Sequence, residues 1–418
     1  MNQQQEFPAQ NAYLSAPEAA RFLRVKPATL YAYVSRGLLD SIPSEVGRAR
    51  RYRLADLERL KGRRRGEEGS LLRGAEPVLD SSITDLTASG PVYRGHAATG
   101  LAERGTPFES VAELLWTGEL PSDPPVWPEG DTALEHVQVR LPEDASPLAR
   151  QQLAVAALAP LDPGRFDLRP EAVRVRARRV IRTVAAALAL GQRDKTRLRA
   201  ALAAPTVAEA VALALGGKRQ RRHLLAIDRL LVLLADHELN ASTFAARVAA
   251  SAEADPWAVV LAGIATLSGP RHGAASDRVE ALVSEVESAR DAAAVVHDRE
   301  RRGERVPGFG HALYPQGDPR ARILVESARS LGARSHPERS VLGLLDEMAA
   351  GGRPAPNVDI AAVALRVALG LPRGATTGLF AVARCAGWMA HALEQYEAGF
   401  LLRPRARYRG RSVASAGS

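Results

Sequence analysis

The chain has 418 residues, 46% of them apolar and only 5% aromatic, which is enough for two or three domains and a large core. A single cysteine, Cys385, excludes an intrachain disulfide and a thiolate metal cluster. The net charge of +9 is uneven: residues 1–74 hold about 14 Lys/Arg against about 8 Asp/Glu, so a basic head precedes a nearly neutral body. Met1 to Gln10 is polar, and no apolar run reaches transmembrane length. The expectation is a soluble cytoplasmic protein without membrane partners, rich in the helix formers Ala, Leu, Arg and Glu.

The head opens with a first helix after Tyr13-Leu14. Ser15 is placed to cap it, Pro17 sits in its first turn and Glu18 follows three residues after the cap. Ala19, Ala20 and Leu23 form its apolar stripe. A second short helix starts near Lys26-Pro27 and stops at Arg36-Gly37. Gly47 to Arg53 reads as a basic hairpin, and 54–60 as a closing helix. This order is that of a small winged helix-turn-helix. The layout "APEAARFLRVKPATLYAYVSRGLL" with the wing "GRARRYRLADLERL" resembles the DNA-binding heads of the MerR and excisionase-like families. That resemblance puts Lys26, Thr29, Tyr31 and Tyr33 on or beside a recognition helix. It gives Arg48, Arg50, Arg51 and Arg53 to phosphates of double-stranded DNA. A helical interaction module with a solvated basic face fits the same residues. The head is taken as 10–62, followed by a charged, glycine-rich linker at 63–76.

The body begins with alternating apolar positions that predict a short β-hairpin-like start, then a capped helix over "TPFESVAELLWTGELP". The proline-rich stretch 122–149 reads as a surface loop. Ala/Leu-rich helices are predicted at 150–158, 173–190, 195–204, 207–215, 223–239, 241–253 and 256–267. After Gly269-Pro270 the apolar spacing from Ala274 predicts another helix, with His272 at or just before its N-terminus. There the unpaired N–H groups and the dipole disfavour imidazolium.

Four stretches carry polar residues that a core pattern does not require. They are "ADHELNAST" with His237, "SGPRHGAAS" with His272, and "VPGFGHALY" with His311, followed by Asp318-Pro319-Arg320. The fourth combines "PNVD" ending in Asp359, "FAVARCAGW" with Arg384, and "RPRARYRG" starting at Arg403. Arginine forks hold carboxylates, histidines polarise carbonyl and enol oxygens, and a carboxylate removes a proton from carbon. The set therefore suits a di- or tricarboxylate activated at a carbonyl. No metal-ligand spacing is present. Taken singly, His237 equally reads as a core histidine, Asp359 as a helix cap, and Arg384 and Arg403 as salt-bridge partners.

Together and in this order, with "SSITDL…VYRG" before them, these motifs resemble the citrate synthase family from about Val78 to Gly410. The resemblance implies a mainly α, two-domain helical fold behind the winged helix-turn-helix. Its large domain would cover 77–274 and 379–418, and its small domain 275–378. It further implies that His272, His311 and Asp359 are catalytic and that His237, Arg320, Arg384 and Arg403 bind substrate. Val306, Pro307, Gly308, Phe309 and Gly310 would bind coenzyme A. The expected reaction joins acetyl-CoA to oxaloacetate with no cofactor beyond that co-substrate, in a homodimer whose Arg403 reaches the partner's site. Alternatives are a 2-methylcitrate synthase using propionyl-CoA and a DNA-binding regulator whose body senses a metabolite. The sequence departs from the family at Leu234, Arg271, Ala274 and Ser276. The charge of Arg271 is expected to disfavour imidazolium at His272 further. Cys385 reads as a small buried residue. His96, His136, His223, His297, His336 and His391 receive no role.

Overall fold

The computed structural model describes residues 13–23, 25, 29–30, 33–34, 39, 41–43, 50–53, 57, 79–138, 141–142, 144–192, 195–332 and 335–404. Two compact units divide after Asp80.

In the first unit, β1 (Tyr13–Ser15) runs into α1 (Ala16–Leu23). Ser15 donates its backbone N–H and its hydroxyl to Glu18 at 2.8 and 2.7 Å, one half of the capping pair read from the sequence. Residues 29–30 and 33–34 are helical. β2 (Ile42–Pro43) and β3 (Arg50–Arg53) pair antiparallel, and β3 also pairs with β1, giving the order β1-β3-β2. The hairpin is therefore wider than predicted: its first arm is Ile42–Pro43, and the strand at Tyr13–Ser15 was not anticipated. Leu14, Ala19, Ala20, Leu23, Leu30, Leu39, Tyr52 and Leu57 close a separate small core. Lys26, Tyr31, Arg48, the linker 63–76, most of the closing helix and the end of the chain from 405 lie outside the described residues.

The second unit starts with the antiparallel sheet β4 (Thr84–Thr87), β5 (Gly90–Tyr93) and β6 (His96–Ala97), the predicted β start. Among the described residues, the remaining elements of this unit are helical. α2 (Ala98–Glu103) and α3 (Phe108–Thr117) follow; Pro107 precedes α3 and gives it no side-chain cap. The proline-rich stretch is more than surface: Trp127 and Leu134 are buried, and Thr132–His136 is a 3-10 turn. Then come α4 (Pro147–Leu158), α5 (Pro170–Ala186), α6 (Thr196–Leu202), α7 (Val207–Leu215) and α8 (Arg221–Leu234). α9 (Ala241–Ser251), α10 (Pro256–Leu267), α11 (Ala275–Ala289) and α12 (Ala292–Arg301) precede the third histidine loop. α13 (Pro319–Leu331), α14 (His336–Ala350), α15 (Val358–Ala368) and α16 (Ala375–Ala398) complete the unit.

α16 is the axle. Nearly every residue from Ala375 to Ala392 is buried, and α3, α4, α5, α8, α9 and α10 all pack on it. A helix buried on all sides is stable only inside such a shell, and its few polar side chains, Arg384 and His391 among them, must find partners there. Gly387 lets α16 approach the chain after α8: a Cβ there would lie 2.2 Å from Asp236 Oδ1, while its N–H donates to the Ala235 carbonyl at 3.0 Å. A second group is formed by α13 and α14, which pack on α15, and by α11, which packs on both α14 and α15.

Candidate active site

The first contribution follows α8. That helix ends at Leu234, five residues before the predicted end, because buried Asp236 draws the chain inward. Its Oδ2 lies 3.4 Å from His391 Nε2 and accepts the Glu238 N–H at 3.1 Å. Burial raises the Asp236 carboxyl, but His391 and Arg384 overcome this and hold it below its ordinary value. Glu238 adopts φ +54, and the turn presents His237 half-buried. His237 Nε2 is 3.3 Å from the Tyr314 hydroxyl. Burial, then Arg320 and Arg384, push its pKa far below the ordinary value, so the ring is neutral.

His272 stands in the turn between α10 and α11. The electrostatics differ from the expectation. Arg271 is exposed; burial and then Arg384 lower His272 to about 4. Its Nε2 meets the N-terminus of α9, not that of α11. Asn240 caps α9, and the Ser242 backbone N–H points at Nε2 from 3.3 Å. A backbone N–H cannot turn away, so it assigns Nε2 as an acceptor and puts the proton of the neutral ring on Nδ1. The Ser242 hydroxyl lies between Nε2 at 2.8 Å and Asn240 Oδ1 at 2.9 Å.

His311 follows a loop tied to the start of α15. Gly308 accepts the Asn357 N–H at 2.9 Å, Gly310 donates to Ala355 at 2.8 Å, and the Asn357 amide donates to Gly310 at 3.2 Å. Val306 and Phe309 are partly buried against the core. Leu313 N–H donates to His311 Nδ1 at 3.1 Å, so neutral His311 carries its proton on Nε2. Burial lowers its pKa; Asp318 opposes this and Arg320 adds to it. The rings of His311 and Tyr314 are 4.7 Å apart, and those of His237 and His311 are 6.0 Å apart.

Asp359 lies in the first turn of α15, which Asn357 caps by accepting its N–H at 3.0 Å. Burial raises its carboxyl to about 6, against the pull of Ser276 and Arg320. Ser276 donates to Oδ1 at 3.2 Å. Arg320 is buried and forked onto Asp318, with Nε and Nη2 at 3.0 and 2.8 Å from its two oxygens. Arg384 is buried too. Among the described residues its side chain makes one hydrogen bond, from Nε to the Leu234 carbonyl at 2.9 Å, and no ion pair.

His237, His272, His311, Asp359, Arg320 and Arg384 are thus joined by contacts and by one another's fields. Arg403 is exposed. Among the described residues its side chain makes no hydrogen bond or ion pair. Tyr314, Ser242, Ser276, Asp318 and His391 belong to the same network, and the sequence reading gave none of them a role in the site. For Asp318 a signal was available, because Asp two residues before Arg at a helix start is spaced to cap and to pair. No group of three or more His, Cys, Asp or Glu is arranged to hold a metal ion among the described residues. No helix there is long and apolar enough to cross a membrane.

Neutral imidazoles, a carboxyl group of raised pKa and two buried guanidinium forks on a helical frame define an acid–base enzyme. Residues 72–405 match the family model for the citrate synthase C-terminal domain, and residues 13–65 match that for a helix-turn-helix domain. The chain belongs to the citrate synthase family. It is 35% identical to the citrate synthase of Haloferax volcanii, over 82% of this chain and 96% of that one. It is 32% identical to 2-methylcitrate synthase 2 of Corynebacterium glutamicum, over 78% and 93%. The fold is similar to that of Thermoplasma acidophilum citrate synthase, solved as a ternary complex with carboxymethyl coenzyme A and oxaloacetate. The TM-score is 0.69 at 25% identity, covering 82% and 96%. Citrate synthases need no cofactor beyond the acetyl-CoA co-substrate.

Proposed function

We propose that this enzyme condenses acetyl-CoA with oxaloacetate to give citrate and free CoA. The observation that carries this reading is the pair of backbone hydrogen bonds that fix the two tautomers, Ser242 to His272 and Leu313 to His311. Asp359 takes a proton from the acetyl methyl group. The Nδ1–H of His272 donates to the thioester oxygen as it becomes an enol; a neutral donor needs no prior loss of charge. The enol carbon then attacks the oxaloacetate carbonyl as the enol oxygen returns its proton to His272 Nδ1 and the thioester carbonyl re-forms, and His311 Nε2–H supplies the proton to the new alkoxide. Water cleaves the citryl thioester and releases the thiol. His237, Arg384 and the remaining donors of Arg320 hold the carboxylates. The Val306–Gly310 loop would lie along coenzyme A. Motion of a small domain at 275–378 against the rest would exclude water. Exposed Arg403 would complete the site of a second copy in a homodimer.

The test is thiol release with oxaloacetate and either acetyl-CoA or propionyl-CoA, beside Asp359→Ala. Release with acetyl-CoA well above that background supports the reading. Preference for propionyl-CoA makes the enzyme a 2-methylcitrate synthase. No release with either donor overturns the enzymatic reading.

The head supports a second activity, binding of double-stranded DNA. The helix-turn-helix match and the exposed Arg50 and Arg51 on β3 favour it. Thr29 and Tyr33, both half-buried in helical segments, would approach the bases. Phosphate-driven affinity falls steeply with salt, so binding to duplex DNA that is absent or insensitive to salt would rule it out.

A further inference from the structure

The turn that delivers His272 also delivers Ser276. The His272 carbonyl accepts the Ala275 N–H at 2.9 Å and the Gly273 carbonyl that of Ser276 at 3.3 Å, so residues 272–276 form one hydrogen-bonded turn leading into α11. Ser276 is fully buried. Its hydroxyl donates to Asp359 Oδ1 at 3.2 Å and is the one side-chain donor to that carboxylate among the described residues. Oδ2 has no hydrogen-bond partner there, and Asp359 forms no ion pair. The other groups facing Asp359 are Arg320 and Asp318 from α13 and its cap, and exposed Arg278 from α11.

We infer that Ser276 is a positioning residue for the base. It holds Oδ1, leaves Oδ2 as the oxygen that receives the proton, and ties the proton donor on His272 to the base through one turn. The inference rests on the reading of Asp359 as that base. The bond favours the ionised carboxylate, and such a bond changes proton affinity by about tenfold. Without it Asp359 stays protonated to higher pH, and a protonated base is idle.

The experiment compares wild type, Ser276→Ala and Ser276→Thr. The acidic limb of kcat/KM should move to higher pH in Ser276→Ala, with a loss of about fivefold at pH 6 shrinking to under about twofold at pH 9. Ser276→Thr, which keeps the hydroxyl, should restore the wild-type limb. The KM for oxaloacetate should stay the same. Carboxyl carbon NMR, with the Asp359 signal assigned by its disappearance in Asp359→Asn, reads the same titration without catalysis. It remains decisive if the protein releases no thiol. An Asp359 titration identical in wild type and Ser276→Ala overturns the inference. So does a loss in Ser276→Ala that is equal at every pH or that Ser276→Thr does not rescue.

Discussion

The backbone N–H of Ser242 and the Nε2 of His272 face each other at 3.3 Å across thirty residues of sequence. This contact assigns the ring proton to Nδ1, because the donor is part of the α9 N-terminus and cannot rotate, and it requires the Ser242 hydroxyl to turn its own proton toward Nε2. The positive end of a helix aimed at a ring nitrogen also opposes protonation. His272→Ala should therefore lower kcat by about 10²- to 10³-fold, the usual cost of one preorganised donor. The KM for oxaloacetate should change little. Steady-state thiol release at saturating acyl-CoA measures both. A loss confined to KM would make His272 a binding group.

The same burial gives a pH signature. Folded His272 titrates near 4 against an ordinary 6.5, so between these values the unfolded chain binds the proton and the folded chain does not. Stability present above about pH 6.5 is lost as pH falls toward 4. Discounted for the partial exposure of the ring, the loss is on the order of 1–2 kcal/mol. His237 shifts in the same direction. Asp359 opposes both: raised from 3.8 to about 6, it contributes stability that is full below pH 3.8 and lost as pH rises through 6. Urea unfolding between pH 7 and 4 should accordingly show a shallower acid loss in His272→Ala and a steeper one in Asp359→Asn. Parallel curves for all three proteins would contradict this.

The motifs were legible because each is short and local: a histidine beside a turn glycine, a carboxylate behind an Asn cap. What they touch was not. Leu239 keeps the helical spacing of α8, so nothing local ends that helix at Leu234; the buried Asp236–His391 contact does, from 155 residues away. Arg320 reads as a free fork until Asp318 is seen to occupy two of its nitrogen atoms. Arg271 lies beside His272 in sequence but points to solvent, while Arg384, 112 positions later, supplies the field. Tertiary placement decided each of these, and neither periodicity nor composition encodes it.

Gly308 tests whether the His311 loop is held by α15. It adopts φ +87, and a Cβ there would lie 2.6 Å from the Ile360 Cβ. Gly308→Ala meets both a left-handed backbone and a clash with a buried helix residue. Together these should cost about 1–3 kcal/mol. To relieve the clash the loop must lift from Asn357, which separates His311 from Asp359. Activity should fall further than the lowered Tm alone explains, at temperatures where the variant is still folded. Gly303→Ala is the control: it also adopts positive φ, +70, but a Cβ there meets nothing within 4 Å. It should lose some stability and keep full activity.

Arg403 decides whether the sites are shared. It is exposed, while the two other arginines proposed for the carboxylates are buried inside the fold. In a two-fold dimer each Arg403 would serve the other copy's site, so Arg403→Ala and Asp359→Ala homodimers should both be nearly inactive. Denatured together and refolded in equal amounts, half of the dimers are hybrids. In each hybrid one site carries both defects and the other carries neither. The mixture should regain about a quarter of wild-type activity. If Arg403 served its own copy's site, every site in the hybrid would keep one defect and the mixture would stay as inactive as its components. Thiol release from the refolded mixture, compared with each variant refolded alone, separates the two arrangements.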